Sequence, residues 1–332
     1  MSGMFKALQV FSIDGRIAHR IVETTIEELD PGEVVIENQY SSVNYKDALA
    51  ATGAGKIIRS FPKIAGIDCA GAVVHSSVAD FRVGDSVVVT GHGLGAEHDG
   101  GFAEYVRVPA AWVVKLPPSL SCWEAMAIGT AGFTAALAIL RMETMGLRPA
   151  PEPVVVTGAT GGVGSIAVDL LAQRGYRVTA ITRKAGEADY LRELGAHEVL
   201  ALDGLVTGVN PLEKGRWAGA IDNVGGELLA WLIRTTLPWG VITSCGLTGG
   251  TEIRTTVMPF ILRAVSLLGI SAANCPMETR AGVWSSLATD MRPKHLARIA
   301  TTIALEDLPH TFERLLAGEM KGRAVVRTGS VG

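Results

Sequence analysis

The sequence predicts an α/β fold in two units: an antiparallel, barrel-like β unit, then a doubly wound parallel sheet. Three observations carry this. Residues 1 to about 120 hold short β-patterned runs separated by turn residues. From Pro153 onward, short apolar strands alternate with helical stretches. At 154–165, VVVTGATGGVGS places a glycine-rich turn between a strand and a helix. The expected boundaries are 1–122 for the β unit, 123–273 for the parallel sheet, and 274–332 for a segment that returns to the first unit.

Within the first unit, FKALQVF, EVVIENQY, GAVVHSS, DSVVVTG, FAEYVRVP and WVVKLP read as strands. Pro117 and Pro118 end the last of them, and SCWEAMAIGTAGFTAALAILRM then turns helical, with apolar residues at helical spacing through Leu140. The second unit alternates VVVTG, helix 163–174, RVTAI, helix 186–194, HEVLAL, AGAIDNVG, helix 227–237, GVITSCG, helix 257–266 and SLLGISA, which is about six strands. A helix opens the tail from about 274, and AVVRTG near the end reads as a strand returning to the β unit.

Composition bounds the function. With 332 residues, 48% hydrophobic and 19% charged, the chain suits compact globular packing. A net charge of −3 offers no basic surface of the kind nucleic acid demands. MSGMFKALQVFSIDGR lacks a signal-peptide core, and no window approaches the roughly 20 apolar residues of a membrane span. The expectation is a soluble, cytoplasmic protein with no nucleic-acid or membrane partner. Cys69, Cys122, Cys245 and Cys275 are widely spaced and read as reduced thiols.

Gly158, Gly161, Gly162 and Gly164 meet the three demands of a dinucleotide turn: tight reversal, approach of backbone N–H groups to a pyrophosphate, and close packing of helix on strand. With Thr160 they form the candidate cradle, and the helix opening near Val163 turns its positive end to the phosphates. About 20 residues on, an acid would accept from a free ribose hydroxyl; here stand Thr182, Arg183 and Lys184. A guanidinium and an ammonium attract a 2′-phosphate, so NADP(H) is preferred over NAD(H), the alternative being a solvated basic strand end. The same letters satisfy the T-G-x-x-x-G-x-G turn of short-chain dehydrogenases. That fold places its turn near the N-terminus and needs Tyr-x-x-x-Lys, whereas Tyr176 and Tyr190 are followed four residues later by Ala180 and Leu194.

Together, the β-rich first unit, GTAGFTA at 129–135 and the turn at 157–164 resemble the medium-chain dehydrogenase/reductase superfamily over essentially the whole chain. SSVNYKDALAATGAGKIIRSFPKIAGIDCAG (41–71), IGTAGFTA (128–135), AGAIDNVGG (218–226) and TTVMPFILR (255–263) look like its zinc-free, quinone-oxidoreductase-like branch. NYKDALA, IIRSFP and TTVMPFILR resemble the NADPH-dependent acrylyl-CoA reductases more narrowly. The resemblance implies a GroES-like catalytic domain, a Rossmann domain binding NADPH, and a homodimer. It also implies that Tyr45, Thr130, Leu247 and Ile261 are cofactor contacts, with Thr134 facing the nicotinamide.

Zinc alcohol dehydrogenases of that superfamily use a cysteine near a strand end and a later Gly-His-Glu. The matching residues here are Asn44 and Gly66-Ile67-Asp68, a poor ligand set, so no metal is expected. His92 and His98 are read as solvent-facing loop residues. Hydride addition to a conjugated C=C needs little more than a placed nicotinamide and a donor to the developing enolate oxygen. Tyr45, with Asn44 beside it, is the catalytic candidate, the alternative for Tyr45 being a packed aromatic anchor; Lys46 and Asp47 read as a local loop pair. Lys56, Arg59 and Arg323 are candidate cations for an acyl-CoA substrate, or ordinary surface charge. Glu198 departs from the resemblance, standing where an arginine near the 2′-phosphate is common. Quinone or 2-alkenal reduction, and a non-catalytic cofactor-binding module, are the competing readings.

Overall fold

Asp14 and Gly15, at φ of 50° and 77°, close a two-residue turn between β1 (Phe5–Ile13) and β2 (Arg16–Thr24), with Ile13 opposite Arg16. Such a turn needs left-handed backbone at both central positions, which Asp-Gly supplies at low cost. A computed structural model describes residues 3–329. Two compact units are present. The first runs to Thr130 and takes in Ala273–Thr289 and the chain from Leu296 on; the second comprises Ala131–Ala272 and Asp290–His295.

After the hairpin come β3 (Val34–Ser42), α1 (Tyr45–Thr52), β4 (Lys63–Ile64), β5 (Asp68–Ser76), β6 (Ser86–Thr90), β7 (Tyr105–Val108) and β8 (Val114–Lys115). α2 (Cys122–Thr144) follows, interrupted at Gly129, where φ is 50° and ψ −161°. The first unit ends at Thr130, one residue past that break, because the helical pattern read from 122 is really two helices. α2 is also long and apolar enough to cross a membrane by length and hydropathy, contrary to the expectation from the sequence, but 83% of its apolar window is buried within the protein.

The second unit contains β9 (Val154–Thr157), α3 (Gly162–Gln173), β10 (Val178–Thr182), α4 (Ala188–Glu193), β11 (Glu198–Ala201), β12 (Trp217–Asp222), α5 (Gly226–Thr235), β13 (Thr236–Ser244), α6 (Met258–Arg263) and β14 (Ser266–Gly269). Its six strands are all parallel, in the order β11-β10-β9-β12-β13-β14. The order reverses between β9 and β12, the switch point where open α/β sheets bind ligands beyond their strand C-termini. Val154, Val155 and Val156 are buried, as are Ile166, Ala167, Leu170 and Leu171 of α3, which accounts for the continuous apolar strand.

The remainder, α7 (Met277–Leu287), α8 (Leu296–Ile299), β15 (Ala300–Ala304), α9 (Leu308–Leu316) and β16 (Arg323–Arg327), belongs to the first unit. β16 pairs antiparallel with β3, so the C-terminal strand does return as its apolar pattern indicates. The first unit has two sheets, β2-β1-β4 and β15-β16-β3-β5-β6-β8, with β7 also on β3. Leu8, Val10, Ala48, Phe102, Phe312 and Val326 form one core cluster, and Val34, Ile36, Val73, Val87 and Val106 another. The register places Val325 opposite Ser42 and Tyr40 opposite Ala70, which brings the starts of β16 and β5 to the end of β3.

Candidate active site

That convergence creates a buried polar cluster in the first unit. Asp68, the first residue of β5, has no solvent exposure. Its Oδ2 accepts from Ser42 Oγ (2.6 Å), Asn44 Nδ2 (2.8 Å) and the Thr130 N–H (2.9 Å); its Oδ1 accepts from Thr130 Oγ1 (2.5 Å). The Arg323 guanidinium faces it, with Nη2 3.8 Å from Oδ2. Arg323 also donates to Ser42 Oγ (2.7 Å), Val43 O (2.9 Å), Asn44 Oδ1 (3.0 Å) and Ala127 O (3.3 Å). A buried ion pair needs this saturation to offset the loss of hydration. Gly129 makes the room: a Cβ there would collide with Arg323 Nη2, Ser42 Oγ and Asp68 Oδ2, on a backbone already at positive φ.

Arg323 is therefore corrected from a candidate surface cation to a core residue, only 3% exposed. Burial pulls its pKa down, while Asp68 and Asp47 oppose that shift. Lys56 and Arg59 are exposed, and no hydrogen bond or ion pair among the described residues ties either to the cluster.

Asp47 is not a loop partner of Lys46. It is the third residue of α1, fully buried, and its Oδ2 accepts the Asn44 N–H (2.8 Å) while Oδ1 accepts the Ile67 N–H (2.9 Å). It fastens the start of α1 to the residue preceding Asp68. Burial, and then Asp68, push its pKa up to about 7.

Asn44 spends its amide inside the cluster, donating to Asp68 and Ser42 O and accepting from Arg323. Tyr45, the first helical residue, is 38% exposed. Thr130 is half-buried with its hydroxyl on Asp68, and Thr134 is buried. His92 and His98 are not solvent-facing: both rings pack on Trp112, His92 stacked and His98 edge-on, and burial lowers the His92 pKa to about 4.

In the second unit the glycine turn has the geometry of a phosphate cradle. Gly158 has φ 56°, and a Cβ on Gly164 would collide with Gly158 O and Ala159. Gly161 is the N-cap of α3 and no side chain caps that helix, which leaves the Gly162, Val163 and Gly164 amides to an outside acceptor. Thr160 Oγ1 and Thr182 Oγ1 are 3.3 Å apart, and Thr182 Oγ1 accepts the Lys184 N–H (3.0 Å), orienting the Arg183-Lys184 step. Arg183 is exposed and Lys184 half-buried.

Glu198 pairs with Thr179 at the start of β11, while Ala201 faces Thr182. The acid thus lies at the wrong end of its strand to oppose a 2′-phosphate. Leu247 and Ile261 are exposed apolar residues of this unit.

A GroES-like β unit joined in one chain to a six-stranded Rossmann sheet with a glycine turn defines a two-domain dehydrogenase/reductase. Residues 30–118 match the alcohol dehydrogenase GroES-like domain family and residues 162–289 the zinc-binding dehydrogenase family. The chain belongs to the medium-chain dehydrogenase/reductase superfamily, in its quinone-oxidoreductase-like branch. It is 45% identical to Bacillus subtilis YhfP, provisionally named a quinone oxidoreductase, across 98% of this chain and 100% of that one. It is 41% identical to the acrylyl-CoA reductase AcuI of Ruegeria pomeroyi, across 97% and 99%. The Salmonella enterica YhdH oxidoreductase, solved with NADP, superposes with a TM-score of 0.95 at 44% identity, covering 98% of this chain and 100% of that one. YhfP itself, solved with NAD, gives a TM-score of 0.96 over 98% and 100%.

Despite the name of the second matched family, the donor set does not fit zinc. The Asn44 and Asp68 oxygens are already engaged by N–H and O–H donors, Ile67 offers no ligand, and a guanidinium faces the only carboxylate. No group of three or more His, Cys, Asp or Glu among the described residues has the spacing to hold a metal.

Proposed function

We propose that this chain is an NADPH-dependent reductase of short 2-enoyl-CoA thioesters, acrylyl-CoA foremost, giving the saturated acyl-CoA. The observation that carries this reading is the Asn44–Asp68–Arg323 cluster, held where metal ligands would stand in a chain with full-length likeness to an acrylyl-CoA reductase. That donor set does not fit the Lewis acid that zinc-dependent alcohol oxidation uses, whereas conjugate reduction needs only positioned donors.

The glycine turn fits a dinucleotide: the uncapped amides of Gly162, Val163 and Gly164 take the pyrophosphate, and Arg183 and Lys184 take the 2′-phosphate. When bound, NADPH supplies the hydride that reaches the β carbon. The phenol of Tyr45 donates a hydrogen bond to the thioester oxygen as negative charge collects there, and the α carbon then takes a proton from solvent water. Asn44, with its amide spent, is a positioning residue that fixes the start of α1 and hence Tyr45. Lys56 and Arg59, both exposed, suit the CoA phosphates. A homodimer in the cytoplasm is the fitting state: Val257 and Leu262 lie exposed on and beside α6, which packs on β13, the neighbour of the edge strand β14, a surface that light scattering tests directly.

The deciding assay follows NADPH consumption with acrylyl-CoA and, separately, with a simple quinone. Turnover of acrylyl-CoA that far exceeds quinone turnover supports the reading. Preference for the quinone would transfer it to quinone reduction, which the likeness to YhfP favours.

Two substitutions probe the residues. Arg183→Ala is expected to weaken NADPH binding about 10- to 100-fold, as loss of a hydrogen bond to a charged group implies, and to leave NADH nearly unaffected; equal losses for both cofactors would refute the 2′-phosphate assignment. Tyr45→Phe is expected to lower kcat roughly 100-fold with an unaltered unfolding curve, the scale of one lost donor to an oxyanion. An unchanged kcat would remove Tyr45 from the chemistry.

A further inference from the structure

Asp222 ends β12 directly across the switch point from β9, has no solvent exposure, and takes no part in the chemistry described above. Its carboxylate gathers donors from three strand ends. Oδ1 accepts from Thr157 Oγ1 (2.9 Å) and the Val224 N–H (3.3 Å); Oδ2 accepts from the Gly225 N–H (2.9 Å) and Ser244 Oγ (3.3 Å). Thr157 Oγ1 in turn accepts the Asn223 N–H (2.9 Å), and Asn223 Nδ2 donates to Thr157 O (2.7 Å).

Thr157 is the last residue of β9, and the next residue is Gly158, the first glycine of the turn. The open face of Gly158 lies against Val224 and Asn223, 3.4 to 3.5 Å from where a Cβ would stand. The carboxylate thus joins the floor of the turn to the loop that lies over it. A buried carboxylate carries a desolvation cost that apolar packing would avoid, and here burial does raise its pKa against those hydrogen bonds.

We propose that Asp222 is a positioning residue for the dinucleotide: through Thr157 it fixes where the Gly158–Gly164 turn presents its amides to the pyrophosphate. The proposal rests on the NADPH reading above and extends it to a residue that is fully buried beneath the turn. Its signature is selective. Disturbing the Asp222–Thr157 bond weakens ligands that carry a pyrophosphate and spares those that engage only the 2′-phosphate end.

The test titrates NADPH and 2′-AMP into the full-length protein and into Thr157→Val, Thr157→Ser and Asp222→Ala. Thr157→Val keeps the side-chain shape and removes the hydroxyl; Thr157→Ser keeps the hydroxyl. The expected result is a rise of at least about tenfold in the NADPH Kd for Thr157→Val and Asp222→Ala, with 2′-AMP within about twofold of the parent and Thr157→Ser close to the parent for both. At saturating NADPH, kcat stays within about threefold. If Asp222→Ala does not fold, Thr157→Val alone decides. An unchanged NADPH Kd in Thr157→Val overturns the proposal, and so does an equal loss of both ligands, which marks general destabilisation. A parent protein that fails to bind NADPH overturns the cofactor reading itself and this proposal with it.

Discussion

Arg323→Met is expected to destabilise the first unit by about 3–5 kcal/mol, the range for removing one partner of a buried ion pair. Methionine fills much of the space of the arginine stem but leaves Asp68, with no solvent exposure, without its ion-pair partner. It also strips hydrogen-bond donors from Val43 O, Asn44 Oδ1 and Ala127 O. Urea unfolding reads the loss. Pairing the change with Asp68→Asn is expected to recover a good part of it, because the charge without a counter-ion is then gone and the Asn oxygen still accepts from Thr130. Additive losses in the double variant would mean that the two side chains do not act as a pair. Arg323→Lys is expected to fall between parent and Met, since an ammonium keeps the charge but lacks the planar fork that reaches three directions at once.

This prediction rests on a residue that sequence reasoning misplaced, and the reason is physical. Arg323 and Asn44 are 279 positions apart, and only the pairing of β16 with β3 brings them into contact. Local pattern says that AVVRTG is a strand; it says nothing of what the residue before that apolar run will meet. Asp68 carries a sequence signal, since it stands where a zinc ligand would in GIDCAG, but that signal speaks only against a metal and says nothing of a buried ion pair. Gly129 in IGTAGFTA is likewise legible as a motif, while its purpose, space for the cluster, appears only in three dimensions.

The second unit was far more readable, because its signals are local. A β-branched strand, a glycine turn and a helix fall within a dozen residues, and the basic pair at 183–184 follows at the next strand end. Even there, register mattered. Glu198 looked troublesome by its distance along the chain, yet parallel pairing sets it against Thr179 and away from the ligand end. In the first unit the missed strand β2 had a clear local cue in Asp14-Gly15, the strongest short-range hairpin signal. Asp47 was misread because a Lys-Asp neighbour pair suggests a surface contact, whereas α1 turns the aspartate inward to its own N-terminus.

That inward aspartate makes stability depend on pH. The folded-state pKa of Asp47 is raised from the ordinary carboxylate value near 3.8 to about 7, first by burial and then by Asp68. The folded protein therefore binds this proton more tightly than the unfolded chain. The contribution is fully present below about pH 4 and is lost as the pH rises through 7. A gap of about three units corresponds to something on the order of 4 kcal/mol. Asp47→Asn removes the titration and also one of the two acceptors that hold the Asn44 and Ile67 N–H groups, which costs about 1–3 kcal/mol on its own. The parent is thus expected to exceed the variant most clearly near pH 4, with the difference shrinking as the pH rises toward 7 and level above it. Urea unfolding of both proteins across that range measures it. Parallel pH curves would assign the slope to other groups. Because Asp47 also fixes the first turn of α1, kcat of the parent is expected to show an inflection near pH 7 that Asp47→Asn lacks, which a purely structural acid elsewhere in the fold would not produce.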